Sequence, residues 1–293
     1  MGRRILCVFA AALAGSVFAP SADQVTPAAC NRECLKGFID SYLDAMAQHN
    51  ASKLPAAAAV KFTENGKVLQ LGEGFWKTAG PSTYRLYALD PSHGDAAVQA
   101  VVKENGEAVI FLVRLKVDRQ KIQEAETIVC RKGQAGFFSP EKLTAAPPIF
   151  AQAVPESARA THEQLIAAAD AYFTAVQSEG SKDYQPAPLA AEANRFENGL
   201  QTTNVPVMGQ LAMSASEQLD KGVFPGLTID HRRFPVADAT NGVVLGLVLM
   251  HAQMNGQNLG ILIGEIFKVS GAKIRRIQAV MVNTANDGPT GWN

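Results

Sequence analysis

The chain has 293 residues, of which 47% are hydrophobic and 18% are charged, a balance typical of globular rather than disordered proteins. Lysine plus arginine and aspartate plus glutamate are equal at 27 each, so no net positive field attracts DNA, RNA or an anionic membrane. The length suits two domains of ordinary size, and no nucleic-acid partner is expected.

The N-terminal segment has the pattern of a secretory signal peptide. Arg3 and Arg4 precede an apolar run from residue 5 to about residue 14, and small residues follow at 19–22. The run is shorter than the roughly 20 residues of a membrane-spanning helix, so we expect no membrane insertion. We predict that residues 1–22 are removed and that the mature protein is periplasmic or secreted.

Three cysteines follow the predicted signal peptide: Cys30, Cys34 and Cys130. An oxidising compartment permits one disulfide among them. Cys30 and Cys34 are four residues apart at the predicted start of a helix, so either of them can meet Cys130. We therefore expect a disulfide that joins Cys130 to one of these two residues.

The rest of the chain contains an internal repeat. Four pairs of short segments correspond in order: 40–43 with 170–173, 62–66 with 195–199, 85–94 with 233–242, and 116–122 with 268–274. The offset between partners grows along the chain, as insertions in the second copy would make it grow. We predict homologous domains at residues 28–132 and 158–285, joined by a Pro-rich linker at 133–157.

Each copy is predicted to begin with a helix and to continue in strands. Apolar residues at helical spacing open the first copy: Leu35, Phe38, Ile39, Tyr42 and Met46. Their counterparts in the second copy are Leu165, Ala169, Tyr172 and Val176. Runs of β-branched and aromatic residues at 108–117, 121–129, 242–250 and 273–282 predict hairpin strands, with Asn-Gly turns at 105–106 and 255–256.

This order of a helix, a Glu-Asn-Gly turn and long hairpins resembles the nuclear-transport-factor-two-like (SnoaL-like) superfamily. Segments 30–35, 42–45, 54–55, 62–66, 72–76 and 114–117 resemble an exported tandem family within it, of largely unknown function. The resemblance implies an α+β fold: two tandem conical, curved antiparallel sheets, each packed on an N-terminal helix, as in SnoaL-like or cystatin-like barrels. Such cones hold ligands in isomerases, dehydratases, cyclases, lyases and binding proteins, so the fold does not choose the function.

Two tyrosine–carboxylate pairs resemble the site of ketosteroid-isomerase-type members: Tyr42 with Glu64, and Tyr172 with Glu197. In that arrangement the hydroxyl donates to a developing oxyanion while the carboxylate moves a proton, and an apolar pocket strengthens both roles. The alternative is a core tyrosine beside a plain hairpin turn. The neighbouring amides of Asn65 and Asn198 are candidate substrate-binding groups.

Further candidates lie mainly in the second copy. His231 and Arg233 share one face of a predicted strand, where they protonate a leaving group or hold an anion if they point inward, and form a solvated edge if they point outward. Arg195 adds a cation beside the second Glu-Asn-Gly element. Trp76 is either the wall of a pocket for a flat ring or an ordinary core residue.

The sequence lacks the usual signatures of other enzyme classes. The five histidines show no paired metal-ligand spacing, and neither H-E-x-x-H, G-x-S-x-G nor a dinucleotide fingerprint is present. We therefore expect no metal and no cofactor.

These patterns favour an enzyme: a cofactor-independent lyase or isomerase that acts on a small aromatic or otherwise apolar molecule. The most specific candidate that the resemblance implies is a retro-aldol-like lyase that releases formaldehyde from lignin-derived aromatic dimers. The alternatives are a non-catalytic periplasmic protein that binds a hydrophobic ligand, and a structural module. The sequence leaves open a homodimer and which copy is active, with Glu197 favoured over Glu64.

Overall fold

The computed structural model describes residues 2, 30–207, 209–254 and 256–292, without the side chain of residue 254. Apart from Gly2, the predicted signal peptide lies outside the described residues, as does Asn255 of one predicted turn. Among the helices of the described ranges, none is long and apolar enough to cross a membrane.

The first repeat begins with helix α1 (Arg32–Ala47), whose first turn is capped by the side chain of Asn31, which accepts from the amide of Cys34 at 2.9 Å. The strands that follow are β1 (Ala56–Glu64), β2 (Lys67–Leu69), β3 (Ala79–Asp90), β4 (Asp95–Glu104), β5 (Glu107–Asp118) and β6 (Lys121–Cys130). A short 3-10 helix, Gly74–Lys77, precedes β3.

The second repeat begins with helix α2 (His162–Ser178), which carries the capping box expected from Thr161 and Gln164. Its strands are β7 (Leu189–Glu197), β8 (Leu200–Gln201), β9 (Thr228–Asp238), β10 (Val243–Met254), β11 (Gln257–Ser270) and β12 (Lys273–Ala285). One short helix, α3 (Ala215–Asp220), lies between β8 and β9.

Both sheets have the same strand order, β2-β1-β6-β5-β4-β3 and β8-β7-β12-β11-β10-β9. The predicted tandem α+β fold, a helix packed on a curved six-stranded sheet in each repeat, is confirmed. The expectation of purely antiparallel sheets is wrong at one pairing in each: β1 runs parallel to β6, and β7 runs parallel to β12. These partners are separated by a whole antiparallel meander, so no tight hairpin forces them to run in opposite directions.

Each sheet has one face toward its own helix and one face toward the other sheet. The inner faces enclose separate apolar cores with α1 and α2. The outer faces pack against each other in a third core that includes Leu86, Ile110, Leu245 and Ile266. The sheets approach so closely that a Cβ on Gly264 would lie 2.9 Å from Leu112 of the first repeat. The two repeats therefore share a closely packed, largely apolar interface.

The first connecting arm, residues 131–157, crosses from β6 onto the second repeat. The amide of Ser139 donates to the carbonyl oxygen of Asn198 at 2.8 Å. A Cβ on Gly199, whose φ is +88°, would lie 2.2 Å from the carbonyl oxygen of Ser139. Leu143 and Phe150 of this arm are buried. The Pro-rich segment thus packs against the hairpin that follows β7.

The second arm, residues 286–292, crosses in the opposite sense, from β12 onto the first repeat. The indole Nε1 of Trp292 donates to Oγ1 of Thr63 at 2.8 Å. A Cβ on Gly66, whose φ is +78°, would lie 1.7 Å from the carbonyl oxygen of Pro289. Each repeat therefore covers the β1–β2 or β7–β8 hairpin of the other with the segment that follows its own last strand.

The predicted disulfide to Cys130 is wrong. Cys30 is bonded to Cys34, and Cys130 is a buried free thiol. The first turn of α1 brings the Cα atoms of Cys30 and Cys34 to 5.3 Å, within the usual range for a disulfide. Cys130 belongs to the core between the two sheets, whereas Cys30 and Cys34 pack at the inner core of the first repeat. The sheet itself separates the thiols.

Candidate functional site

The interior of the first repeat is filled by aromatic side chains. The indole of Trp76 donates to the hydroxyl oxygen of Tyr42 at 2.9 Å, and both side chains are buried against Phe111 and Phe75. Glu64 accepts from the backbone amide of Phe75 at 2.7 Å. Burial raises the pKa of both Tyr42 and Glu64. The structure therefore places the predicted trio of Tyr42, Glu64 and Trp76 in and around a packed aromatic core.

The two candidate asparagines pair with the sheet backbone. Asn65 donates to the carbonyl of Val129 at 3.0 Å and accepts from its amide at 2.7 Å. Asn198 repeats this pattern with Met281 at 2.9 and 3.0 Å. Each amide group therefore extends the parallel pairing of its strand past the Asn-Gly turn. These hydrogen bonds hold each Glu-Asn-Gly hairpin against the last strand of its own repeat.

The interior of the second repeat contains a buried arginine. Arg195 is 2% exposed, and its Nε lies 2.9 Å from Oε1 of Glu197, two residues further along β7 on the same face. Its guanidinium donates to the hydroxyl of Tyr172 at 3.3 Å and to Oε1 of Gln218 at 2.6 Å. Its Nε also donates to Oγ1 of Thr202 at 3.1 Å. The structure thus brings together three predicted site residues, Tyr172, Arg195 and Glu197.

Two further carboxyl groups lie near this arginine. Burial raises the pKa of Glu265, on β11, from 4.5 to about 8, although Arg195 opposes the shift. Burial also raises the pKa of Glu179, just after α2, to about 7. Within the described part of the chain, Oε2 of each group has no hydrogen-bond partner. The second repeat therefore contains carboxyl groups that exchange protons near neutral pH.

Because Glu265 keeps its proton in the native state, the protein should become less stable as the pH rises. Between about pH 5 and pH 8 the native state keeps a proton that the unfolded state has released, so the free energy of unfolding falls by up to about 1.4 kcal/mol per pH unit. Urea unfolding across this interval measures the slope, to which Glu179 adds up to about pH 7. Glu265→Gln should flatten the slope and the surface variant Glu192→Gln should not. An unchanged slope in Glu265→Gln would contradict the assignment.

A cavity of about 180 Å³ opens beside the Arg195–Glu197 pair. The lining residues come from β7, from the first arm and from the segment between β8 and β9: Phe137, Arg195, Glu197, Thr202, Val207, Gln210, Gln218, Val223 and Phe224. That last segment, residues 202–227, contains α3 and is longer than the corresponding segment of the first repeat. The insertion inferred from the growing repeat offset therefore forms most of the cavity wall.

His231 and Arg233 do not join this cluster. A shift in the β9–β10 register and a φ of +48° at His231 break the expected alternation of side chains. His231 is exposed, with Nε2 3.7 Å from Asp230. Arg233 forms an ion pair with Glu126 of the first repeat. The bulge thus turns both residues away from the cone interior.

Corresponding positions in the two repeats differ in polarity. Phe62 occupies in β1 the place of Arg195 in β7, since these residues face Ala125 and Ile277 of the parallel partner strands. Val113 corresponds in the same way to Glu265, opposite Thr127 and Ala279. The first cone is filled by apolar side chains where the second holds charged ones.

The sequence reasoning missed Glu265, Gln218 and Glu179. Glu265 has a visible signal, because it is a single carboxylate in the apolar run of β11, where an ordinary buried strand would have Val or Ile. Gln218 and Glu179 have no comparable signal, since both lie at ends of helices in polar surroundings. Only the folded insertion brings Gln218 to the guanidinium.

A second cavity, of about 330 Å³, lies where the first arm crosses β7 and β12. Its wall contains Pro147, Pro148 and Arg276, together with Arg275, which pairs with Glu192 on the surface. The wall includes none of the buried carboxyl groups described above. The smaller cavity at Arg195 is therefore the candidate site.

Comparisons with known proteins give a family match for the second repeat. Residues 158–281 match the model of a family described as a domain of unknown function, DUF8021. No curated protein matches the chain. An NTF2-like protein of unknown function from Cytophaga hutchinsonii is similar over 33% of this chain and 89% of its own, with 9% identity and a TM-score of 0.28. A de novo designed protein with a curved β-sheet covers 35% of this chain and 89% of its own, with 18% identity and a TM-score of 0.30.

Proposed function

We propose that the second repeat is the working half of a cofactor-independent lyase or isomerase for a small, mostly apolar molecule, and that the protein acts outside the cytoplasm. The observation that carries the proposal is the buried Arg195–Glu197 pair at the wall of the cavity. The Cys30–Cys34 disulfide supports the location, because such bonds persist in oxidising compartments.

The chemistry follows from the charges. Glu197 is a carboxylate that takes a proton from a carbon or hydroxyl group of a bound molecule. Arg195 is held by Tyr172, Gln218 and Thr202, so its guanidinium is already positioned when negative charge develops on a substrate oxygen. Tyr172 does not line the cavity, so its hydroxyl acts by accepting from Arg195 and holding the guanidinium in place.

The cavity limits the size of the substrate. Its volume of about 180 Å³ is close to that of an engineered protein cavity of roughly 150 Å³ that holds benzene. The side chains of Phe137, Phe224 and Val223 give it apolar walls. A single substituted ring fits this space, whereas the second ring of an aromatic dimer would have to extend beyond it. We therefore favour a one-ring substrate over the lignin-derived dimers that the resemblance implies.

Ligand binding without chemistry is the second candidate. It is favoured by the ion pair itself, because Oε1 of Glu197 is already engaged by Nε of Arg195 at 2.9 Å. The two functions share the cavity and differ only in whether a product forms.

A panel of one-ring alcohols, ketones and phenols tests the proposal, with binding followed by thermal shift and products by mass spectrometry. Val207→Phe places a ring in the cavity and should lower both the binding affinity and the turnover by at least about tenfold. A tenfold loss of affinity corresponds to about 1.4 kcal/mol. Val68→Phe is the matched control, because Val68 lies on the first repeat and is 67% exposed.

Binding without products in the unsubstituted protein would favour the ligand-binding function. Val207→Phe with full binding and turnover would mean that the site lies elsewhere.

A further inference from the structure

A cluster of one aspartate and two histidines joins the two repeats, away from the cavity. Asp90, at the end of β3, lies 2.9 Å from Nδ1 of His93 and 3.7 Å from Nε2 of His162, the first residue of α2. One carboxylate oxygen and one nitrogen from each ring lie within 4.8 Å of one another. The centroids of the two imidazoles lie 4.3 Å apart, with the ring planes tilted by 40°. We propose that this cluster binds a divalent transition-metal ion, Zn²⁺ first among them, across the interface between the repeats.

The pseudo-symmetric position shows what the fold requires here. Asp238 ends β9 as Asp90 ends β3, and Arg32 begins α1 as His162 begins α2. Asp238 is 3% exposed and binds Arg32 through two contacts of 2.8 and 2.9 Å. A buried carboxylate at this place is thus neutralised by a cation from the other repeat. At Asp90, which is 1% exposed, His162 replaces that arginine.

The carboxylate of Asp90 is oriented as a metal ligand usually is. Its Oδ1 accepts from the amide of Ser92 at 3.0 Å, and its Oδ2 accepts from the amide of Ala237 at 3.3 Å. Such outer hydrogen bonds fix the direction of a ligating oxygen.

The ligand set and its exposure suit a zinc-type ion. Two imidazole nitrogens and one carboxylate oxygen are common zinc ligands, and three protein ligands leave a fourth position for water. In a tetrahedral site the ligand atoms lie about 3.3 Å apart, so the ring nitrogens must move inward by rotation of the rings from separations that are now within 4.8 Å. Both imidazoles are partly exposed, which allows this rotation. Neither repeat alone contains this set of ligands, because Asp90 and His93 belong to the first repeat and His162 belongs to the second.

Zinc titration of untagged, chelator-treated protein against a chromophoric chelator tests the proposal. We expect one Zn²⁺ per chain, and His93→Gln and His162→Gln should each weaken binding by at least about tenfold. His49→Asn is the control, because His49 lies at the end of α1 with a φ of +53°, which asparagine tolerates. Its affinity should equal that of the unsubstituted protein.

Equal zinc affinity in the unsubstituted protein and in the His93→Gln/His162→Gln double variant would overturn the proposal. Circular dichroism checks the fold of each variant. If the turn variant His93→Gln alters the fold, His162→Gln alone decides the result, because its side chain is partly exposed at the start of α2. Unchanged affinity in that variant would also overturn the proposal.

Discussion

Replacing Glu197 by glutamine should lower the turnover of a substrate identified in the panel by about 10²–10⁴-fold, the usual contribution of a positioned proton-transfer group. Glutamine keeps the size of the side chain and leaves the hydrogen bonds from Arg195 to Tyr172, Gln218 and Thr202 in place. The loss should therefore fall on the rate constant, with substrate binding little changed. Steady-state kinetics with product detection by mass spectrometry measures both quantities.

Glu64→Gln is the matched control for this prediction. Glu64 has the same place in the Glu-Asn-Gly turn of the first repeat, but it lies beside the packed core of Phe75 and Trp76. Turnover should be retained in this variant. Loss of turnover in Glu64→Gln with full turnover in Glu197→Gln would assign the activity to the first repeat. Full turnover in both variants would mean that neither glutamate is the proton-transfer group.

Replacing Arg195 by methionine should lower the free energy of unfolding by about 3–5 kcal/mol at neutral pH, because it leaves the buried carboxylate of Glu197 without its cation. Methionine preserves most of the apolar contact of the side chain, so lost packing contributes little. Urea unfolding measures the change. Arg275→Met is the control: its ion pair with Glu192 is exposed, and its loss should cost no more than about 1 kcal/mol.

A double-mutant cycle separates charge from packing at this site. If the unpaired carboxylate causes the loss, adding Glu197→Gln to Arg195→Met should recover part of it. Losses that simply add would mean that Arg195 stabilises the repeat through its contacts with Tyr172 and Gln218 instead. A loss below about 1 kcal/mol in Arg195→Met alone would contradict the prediction.

The repeat could be predicted from the sequence because duplication leaves two copies of each signal. The Asn-Gly turns and the helical stripe on Tyr42 and Tyr172 occur twice at matching places, so each supports the other. Part of the site could also be predicted from local sequence. Arg195 and Glu197 are two residues apart on one strand, and residues at this spacing share a face of the sheet.

What could not be predicted depends on contacts between distant segments. The bulge at His231 reverses the faces of β9, and alternation alone cannot show a bulge. The cluster of Asp90, His93 and His162 needs both repeats in place. Similarly, the predicted disulfide between Cys130 and Cys30 or Cys34 is wrong because the sequence does not show that Cys130 faces the other sheet.

The crossed arms have a consequence for how the protein unfolds. Residues 131–157 cover the second repeat's hairpin at Asn198, and residues 286–292 cover the first repeat's hairpin at Thr63. If one repeat unfolds, the arm that it contributes no longer covers the hairpin of the other repeat. The remaining sheet also exposes its outer apolar face, which includes Leu112 in the first repeat or Leu245 in the second. Unfolding of one repeat alone is therefore costly, and we expect the two repeats to unfold together as one cooperative unit.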